Sequence, residues 1–332
     1  MALDRLKLSE DQLSAYFDRV NLPLPKRVLD VTTLDDTSKL AYLSLIQKHH
    51  LVKVPWENLT QHYSWHRVVH IDPRHLFRKI VQDPAGNARG GYCFEVNTFF
   101  FTVLYSLGFD VYMGGSRIYS PKLKKYGGWT HVINLVTING VKYMLDGGYG
   151  GNGPCRPIAV KEGRIVDQVK PAQMRLVHEA IPQHLDRSQK VWVCQHRYNE
   201  NAEWMPIYCF VELEFTPEDL SVSNLTPETS KKSFFTHKVV AVRFTTESET
   251  ADGLGPGFPG EKELGEEIDG SITLSHDTLK WRRHGKKTVD LKLQNEQERL
   301  DALKKYFGIT LSDEDKEAIQ GTSTELGVQW SI

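Results

Sequence analysis

The stretch Thr130-His131-Val132-Ile133-Asn134-Leu135-Val136-Thr137-Ile138-Asn139-Gly140-Val141-Lys142-Tyr143-Met144-Leu145-Asp146 reads as two β runs joined by Asn-Gly. Asn-Gly between β runs is the strongest short hairpin signal, because a type I′ turn needs positive φ at both central residues. With Asn139 and Gly140 in the turn, Ile138 faces Val141, Ile133 faces Asp146 and His131 faces Gly148. His131 and Ile133 share a face, so Asp146 becomes the diagonal neighbour of His131, about 7–8 Å away at the backbone. An Asp and a His side chain close such a gap to a hydrogen bond. A register slip of one residue would put them on opposite faces.

Other β runs surround this hairpin: Val111–Ile118, Val191–Arg197 and Ile207–Phe215. Together they predict a β-barrel or sandwich over residues 109–215. Residues 1–108 have helical spacing instead. Leu8–Val20 follows Ser9 as a candidate N-cap, Leu34–His50 has Asp35 or Asp36, and Leu76–Val81 follows Asp72-Pro73. From Thr216 to the end an α/β lid is predicted, with strands at Val239–Phe244 and Ser271–Leu274. Its helix, Asn295–Phe307, carries Leu300, Leu303 and Phe307 on one side. The segment Thr245–Gly270 holds six glycines and eight acidic residues, which is the composition of a flexible loop. The end, Leu311–Ile332, is polar apart from a late Trp330.

A chain of 332 residues with 40% hydrophobic and 25% charged residues has the balance of a soluble globular protein. The net charge of −1 argues against a general nucleic-acid binder. No apolar run reaches the roughly 18 residues of a membrane span, and the first residues lack a signal-peptide apolar region. The cysteines, Cys93, Cys155, Cys194 and Cys209, show no C-x-x-C spacing, so reduced thiols in a cytoplasmic protein are expected and no metal site is.

Cys93 stands apart from the other three. It lies in Arg89-Gly90-Gly91-Tyr92-Cys93-Phe94-Glu95-Val96-Asn97, and an apolar run ending at Gly108 follows. The glycines permit a sharp turn, and the run reads as a buried helix with Cys93 in or just before its first turn. Unpaired N–H groups and the helix dipole favour a thiolate there. A His oriented by an Asp and offered to a Cys makes a nucleophile, a base and an orienter. Cys93, His131 and Asp146 are therefore the candidate catalytic residues. Cys155, Cys194 and Cys209 read as packing residues, and Glu95 and Asn97 as stabilisers of the Cys93 helix.

The chain resembles the arylamine N-acetyltransferases. The resemblance is carried by the Cys93 segment, by Val54-Pro55-Trp56-Glu57-Asn58-Leu59 as a helical lead-in, and by Thr130-His131-Val132. It continues in Asp146-Gly147-Gly148-Tyr149-Gly150-Gly151, Ser233-Phe234-Phe235-Thr236 and Tyr306-Phe307-Gly308-Ile309. The family usually carries Phe where Trp56 stands. The resemblance implies an α+β fold: a helical bundle, a central β-barrel and an α/β lid around a papain-like Cys-His-Asp core. It implies ping-pong transfer of an acetyl or other short acyl group from acyl-CoA to arylamines or arylhydrazines, with detoxification of aromatic amines as the role. It implies no permanently bound cofactor, with acetyl-CoA or malonyl-CoA as the donor substrate, and a monomer is expected. Coenzyme A is expected against the loop of Lys122, Lys124 and Lys125, against Gly127, Gly128, Trp129 and Thr130, and at Ser233. The aromatic acceptor is expected against Tyr92, Phe94 and Tyr149. The rival readings are a malonyl-selective transferase, a papain- or transglutaminase-type thiol hydrolase, and an idle binding protein.

Overall fold

The computed structural model describes residues 5–83, 89–250 and 264–327. Its N-terminal part is helical: α1 (Glu10–Arg19), α2 (Asp36–Lys53), α3 (Pro73–Ile80) and α4 (Cys93–Ser106). Ser9 caps α1 through a capping box with Gln12, Asp35 caps α2, and Asp72 caps α3 with Pro73 in its first turn. Helix α4 is buried on nearly all sides, as a helix apolar all round must be. Phe99, Phe100, Val103 and Leu104 of α4 pack with Leu13, Tyr16 and Phe17 of α1, and with Leu43 and Ile46 of α2. Gly108 follows with φ of +89°, a conformation open to glycine at little cost.

The strands run β1 (Trp56–Glu57), β2 (Asp110–Ser120), β3 (Lys125–Tyr126), β4 (His131–Ile138), β5 (Val141–Leu145), β6 (Ile158–Ala159), β7 (Val166–Asp167), β8 (Gln173–Glu179), β9 (Val191–Arg197) and β10 (Met205–Glu214). After α5 (Pro217–Thr229) come β11 (Val240–Thr246), β12 (Ile268–Ser275), β13 (Thr278–Arg283) and β14 (Lys286–Lys292), then α6 (Glu296–Phe307) and α7 (Asp313–Ala318). One antiparallel, barrel-like sheet has the order β6-β5-β4-β2-β10-β9-β8-β7, with β3 added to β2. It encloses Ile133, Leu135, Met144, Met174, Leu176 and Phe210. The predicted hairpin register holds from Ile138↔Val141 to Asn134↔Leu145. Asn139 and Gly140 both have positive φ, 49° and 71°. Val136, Ile138 and Leu145 face α4 and join the helical core, so the hairpin is clamped to the helix that carries Cys93.

The second sheet has the order β1-β11-β12-β13-β14. One of its faces (Ala241, Ile272, Leu274, Leu279 and Trp281) packs on Leu303 and Phe307 of α6. Here the structure corrects the sequence reading. Trp56-Glu57 is not helical: Trp56 pairs with Val242 and Glu57 with Ala241, so the segment before Cys93 is stitched to the C-terminal sheet. β8, β13, β14 and α5 were not anticipated. β13 and β14 alternate apolar residues (Leu279 and Trp281; Val289 and Leu291) with polar ones, the period of a half-buried strand, so a signal for both was present. α5 exposes most of its length and shows little apolar periodicity, although Thr216-Pro217-Glu218-Asp219 is a capping box with Pro at N1. The segment read as a loop over 245–270 has strand at both ends, up to Thr246 and from Ile268. Its central residues 251–263, and Trp330, lie outside the described residues.

Candidate active site

Cys93 is the first residue of α4, with Tyr92 extended at the N-cap position. The Tyr92 N–H donates to Glu95 Oε2 at 3.1 Å, closing the helix start. Glu95 is itself buried against Lys79, whose Nζ lies 2.6 Å from Oε1. Glu57 on β1 accepts from Arg89 Nε at 2.9 Å and from the Gly90 N–H at 3.3 Å. Burial pushes the Glu57 carboxyl up, but Arg89 and Lys79 outweigh it and hold the group down at about 2. The backbone entering the helix is thus anchored by buried charge pairs. A Cβ at Gly90 would lie 1.8 Å from the Pro55 carbonyl oxygen, so this approach requires glycine.

The Cys93 sulfur is enclosed, at 2% residue exposure, 3.9 Å from the carbonyl oxygen of Thr130. That carbonyl immediately precedes His131, so the nucleophile candidate and the start of β4 are in contact. His131 Nε2 lies 2.7 Å from Asp146 Oδ2, and both side chains are buried. With Nε2 committed to the carboxylate, Nδ1 is the ring nitrogen left for Cys93, whose proximity also raises the imidazole pKa. Burial pushes the imidazole down, but Asp146 and then Cys93 outweigh it and lift His131 to about 10. Burial likewise opposes ionisation of Asp146, yet His131, Asn97 and the Gly148 N–H hold its carboxyl below the ordinary 3.8. The site therefore favours an imidazolium beside the sulfur.

Asn97 fixes the relative position of the three elements. One turn after Cys93, its amide donates to Val132 O at 2.7 Å and to Asp146 Oδ1 at 3.0 Å. Its oxygen accepts the Gly147 N–H at 2.8 Å. It does more than stabilise its own helix: it bolts α4 to β4 and to the Asp146 turn. The i, i+4 spacing from Cys93 was the available signal. Gly148 touches the same assembly; a Cβ there would lie 2.5 Å from Cys93 Cα. Tyr208 on β10 is a further unanticipated neighbour, its ring centroid 5.4 Å from that of His131.

A family model described as N-acetyltransferase matches residues 39–251. The chain belongs to the arylamine N-acetyltransferase family. It is 32% identical to the N-malonyltransferase FDB2 of Fusarium pseudograminearum, over 94% of this chain and 92% of that one. It is 27% identical to human arylamine N-acetyltransferase 1, over 90% of this chain and 94% of that protein. The structure of Mycobacterium marinum arylamine N-acetyltransferase in complex with CoA superposes with a TM-score of 0.69 at 24% identity, covering 92% of this chain and 98% of that one. As a member of the family the chain is an N-acyltransferase, and its α+β fold with a barrel-like sheet is the fold of those structures.

Against this arylamine N-acetyltransferase framework, the remaining predicted residues divide. A cleft of about 610 Å³ opens between the barrel-like sheet and the second sheet, with Trp56, Tyr149, Gly150, His196, Ser271 and Arg282 in its walls. Tyr149 reaches it while its ring stands 6.1 Å from that of His131. Tyr92 and Phe94 do not line it: both are fully buried, and the Tyr92 hydroxyl donates to Asn224 on α5. Lys124 and Lys125 are exposed and do not line the cleft, with Lys125 paired to Ser120. The Gly127 N–H is bonded to Ile118 O, whereas a Cβ on Gly128 would meet nothing within 4 Å. Trp129 is covered by the Arg117 guanidinium at 3.9 Å, a residue absent from the sequence reading. Thr130 contributes its carbonyl to the sulfur contact. Ser233 caps the short turn Phe234–Thr236, accepting the Phe235 N–H. Among the described residues, no helix is long and apolar enough to cross a membrane, and no cluster of His, Cys, Asp and Glu is arranged to hold a metal ion.

Proposed function

We propose that this chain moves a malonyl group from malonyl-CoA to the nitrogen of aromatic amines, through an acyl-cysteine on Cys93. The observation that carries acyl transfer is the 2.7 Å His131–Asp146 bond beside a cysteine at a helix start. The Cys93 thiolate attacks the thioester carbonyl, the bond from that carbon to the coenzyme A sulfur breaks, and His131 protonates the departing thiolate. The amine then attacks the acyl-cysteine. His131, now neutral, takes a proton from the amine nitrogen, and Cys93 leaves as thiolate. Asp146 orients the ring and stabilises its charged form throughout. Exchange of one thioester for another is close to thermoneutral, so the site needs to lower the barrier rather than drive the reaction.

The donor reading rests on similarity: 32% identity to an N-malonyltransferase over 94% of the chain, against 27% to human arylamine N-acetyltransferase 1. The amine class follows from the family. Free buried cysteines accord with a reducing cytoplasmic setting, and we read the protein as a monomer there. Brief exposure to malonyl-CoA or acetyl-CoA without amine, followed by peptide mass spectrometry, tests the proposal. A malonyl adduct on Cys93 and release of one equivalent of coenzyme A are expected. An acetyl adduct alone overturns the donor reading. Continuous coenzyme A release without amine would assign the site to a thiol hydrolase.

A further inference from the structure

The second sheet turns one face to α6 and the other to the cleft. The cleft face follows from the register. Trp56 pairs with Val242, Val242 with Thr273, and Ser271 with Arg282, so all five residues share a side. Arg243 and Arg283, also on this sheet, are committed: Arg243 to Glu249 and to Tyr306 O, Arg283 to Asp269 and to Glu249 O. The guanidinium of Arg282, an exposed residue, makes no hydrogen bond or ion pair among the described residues, and neither do the hydroxyls of Ser271 and Thr273. Two residues of its lining, Trp56 and His196, also carry buried ring nitrogens, Nε1 and Nε2, without hydrogen-bond partners among the described residues. An indole N–H can only donate, and buried polar atoms are ordinarily paired. Among the described residues the cleft therefore gathers an unpaired cation and hydroxyls without partners, the complement of an anionic oxygen group.

The glycine run after Asp146 measures how far this wall lies from the sulfur. Gly148 packs on Cys93, where an added Cβ would lie 2.5 Å from Cα, and Gly151 packs on Ser271, where it would lie 2.8 Å from Oγ. Three residue steps separate the two glycines, at most about 11 Å. The contacts of Gly148 with Cys93 and of Gly151 with Ser271 add to that span, and Cys93 and His131 do not themselves line the cleft, so a three-carbon dicarboxylic acyl group on Cys93 has to extend past Tyr149 toward the long side chain of Arg282. An acetyl group ends in a methyl and offers the wall nothing.

We propose that Arg282, with Ser271 and Thr273, forms the subsite for the free carboxylate of the acyl group and so selects malonyl over acetyl donors. This rests on the malonyl reading above. The test is the acylation half-reaction alone, followed as coenzyme A release without amine, so that no acceptor contact contributes. It is run with malonyl-CoA and acetyl-CoA on the wild type, Arg282→Gln, Arg282→Lys and Ser271→Ala. In Arg282→Gln the malonyl-to-acetyl ratio of kcat/KM should fall by about 10- to 100-fold, the range for losing a hydrogen bond to a charged group. Arg282→Lys, which keeps the charge without the fork, should fall less, and Ser271→Ala less again. An unchanged ratio in both Arg282→Gln and Ser271→Ala overturns the subsite. Equal losses with both donors also overturn it, assigning Arg282 to coenzyme A instead. A wild type that accepts malonyl-CoA while the ratio stays fixed sinks only the subsite. A wild type that refuses malonyl-CoA sinks the donor reading and the subsite together.

Discussion

Asp146→Asn separates the proposed chemistry from mere packing, because the site leaves the new amide only one orientation. Asp146 Oδ1 already accepts two donors, the Asn97 amide at 3.0 Å and the Gly148 N–H at 2.7 Å. An asparagine must keep its oxygen there, since an NH2 group would meet two donors. Its NH2 is thereby turned toward His131 Nε2, which the carboxylate now holds at 2.7 Å. An NH2 only donates, so Nε2 must become an acceptor and the ring proton moves to Nδ1. Nδ1 is the nitrogen that has to take the proton of Cys93, and the variant blocks it. The wild-type surroundings lift His131 from 6.5 to about 10. At about 1.4 kcal/mol for each tenfold in proton affinity, that is roughly 5 kcal/mol in favour of the imidazolium. Without the carboxylate, burial acts against the charged ring with only Cys93 to oppose it. Acylation of Cys93 at neutral pH should slow by about 10³-fold or more, the rate equivalent of most of that energy. The assay is single-turnover coenzyme A release with excess donor and no amine, with intact folding confirmed by circular dichroism. An Asp146→Asn enzyme that acylates within about tenfold of wild type would refute the assigned roles of His131 and Asp146.

Three further outcomes follow from the same geometry. Gly148→Ala places a Cβ 2.5 Å from Cys93 Cα and 3.0 Å from Asn97 Nδ2. It should cost about 1–3 kcal/mol in urea unfolding and depress acylation more than stability, because the nucleophile itself is displaced; wild-type acylation would contradict this. Arg89→Ala leaves the carboxylate of Glu57, which is fully buried, with Lys79 Nζ at 3.8 Å as its remaining cation. The loss should be about 3 kcal/mol, as for other broken buried pairs, and a midpoint shift equivalent to under about 1 kcal/mol would contradict it. The stability difference between wild type and Asp146→Asn should also depend on pH. The folded pKa of His131 is raised, so its contribution is full below 6.5 and is lost as pH climbs through about 10. That of Asp146 is lowered, so its contribution is full above 3.8 and is lost as pH falls through the depressed value. Urea midpoints of the two proteins should differ most between those limits and converge outside them.

The legible parts of the sequence are those where local rules and tertiary packing agree. Asn139-Gly140 set the hairpin register because its turn chemistry is local, and one face of β4 is buried whichever way the rest of the chain runs. The same register carries Asp146 to His131, and Gly90-Gly91 mark the entry to α4 because a Cβ on Gly90 would meet Pro55 and one on Gly91 would meet Glu95. The illegible parts depend on partners far away in the chain. Trp56-Glu57 becomes a strand only because β11, nearly 190 residues later, supplies its ladder. β13 and β14 do carry period-2 alternation, at Leu279 and Trp281 and at Val289 and Leu291, but each run holds only two apolar residues among several Lys and Arg.

The candidate site divides along the same line. Cys93, His131 and Asp146 are legible as candidates because each sits where a turn or helix start announces itself. Asn97 was misjudged because its i, i+4 spacing from Cys93 says which face it shares, not what stands opposite. Only the packing of β4 against α4 places Val132 O and Asp146 within its reach. Arg282 was invisible for a related reason. In sequence it is one of two adjacent arginines on a polar strand. Strand alternation sends Arg283 to Asp269 and leaves the Arg282 side chain facing the cleft without a partner among the described residues. A residue's chemistry can be read from its type, but whether that chemistry is already used depends on what the opposite wall brings to it. The unused groups, not the most polar ones, are therefore where specificity for the acyl group should be sought.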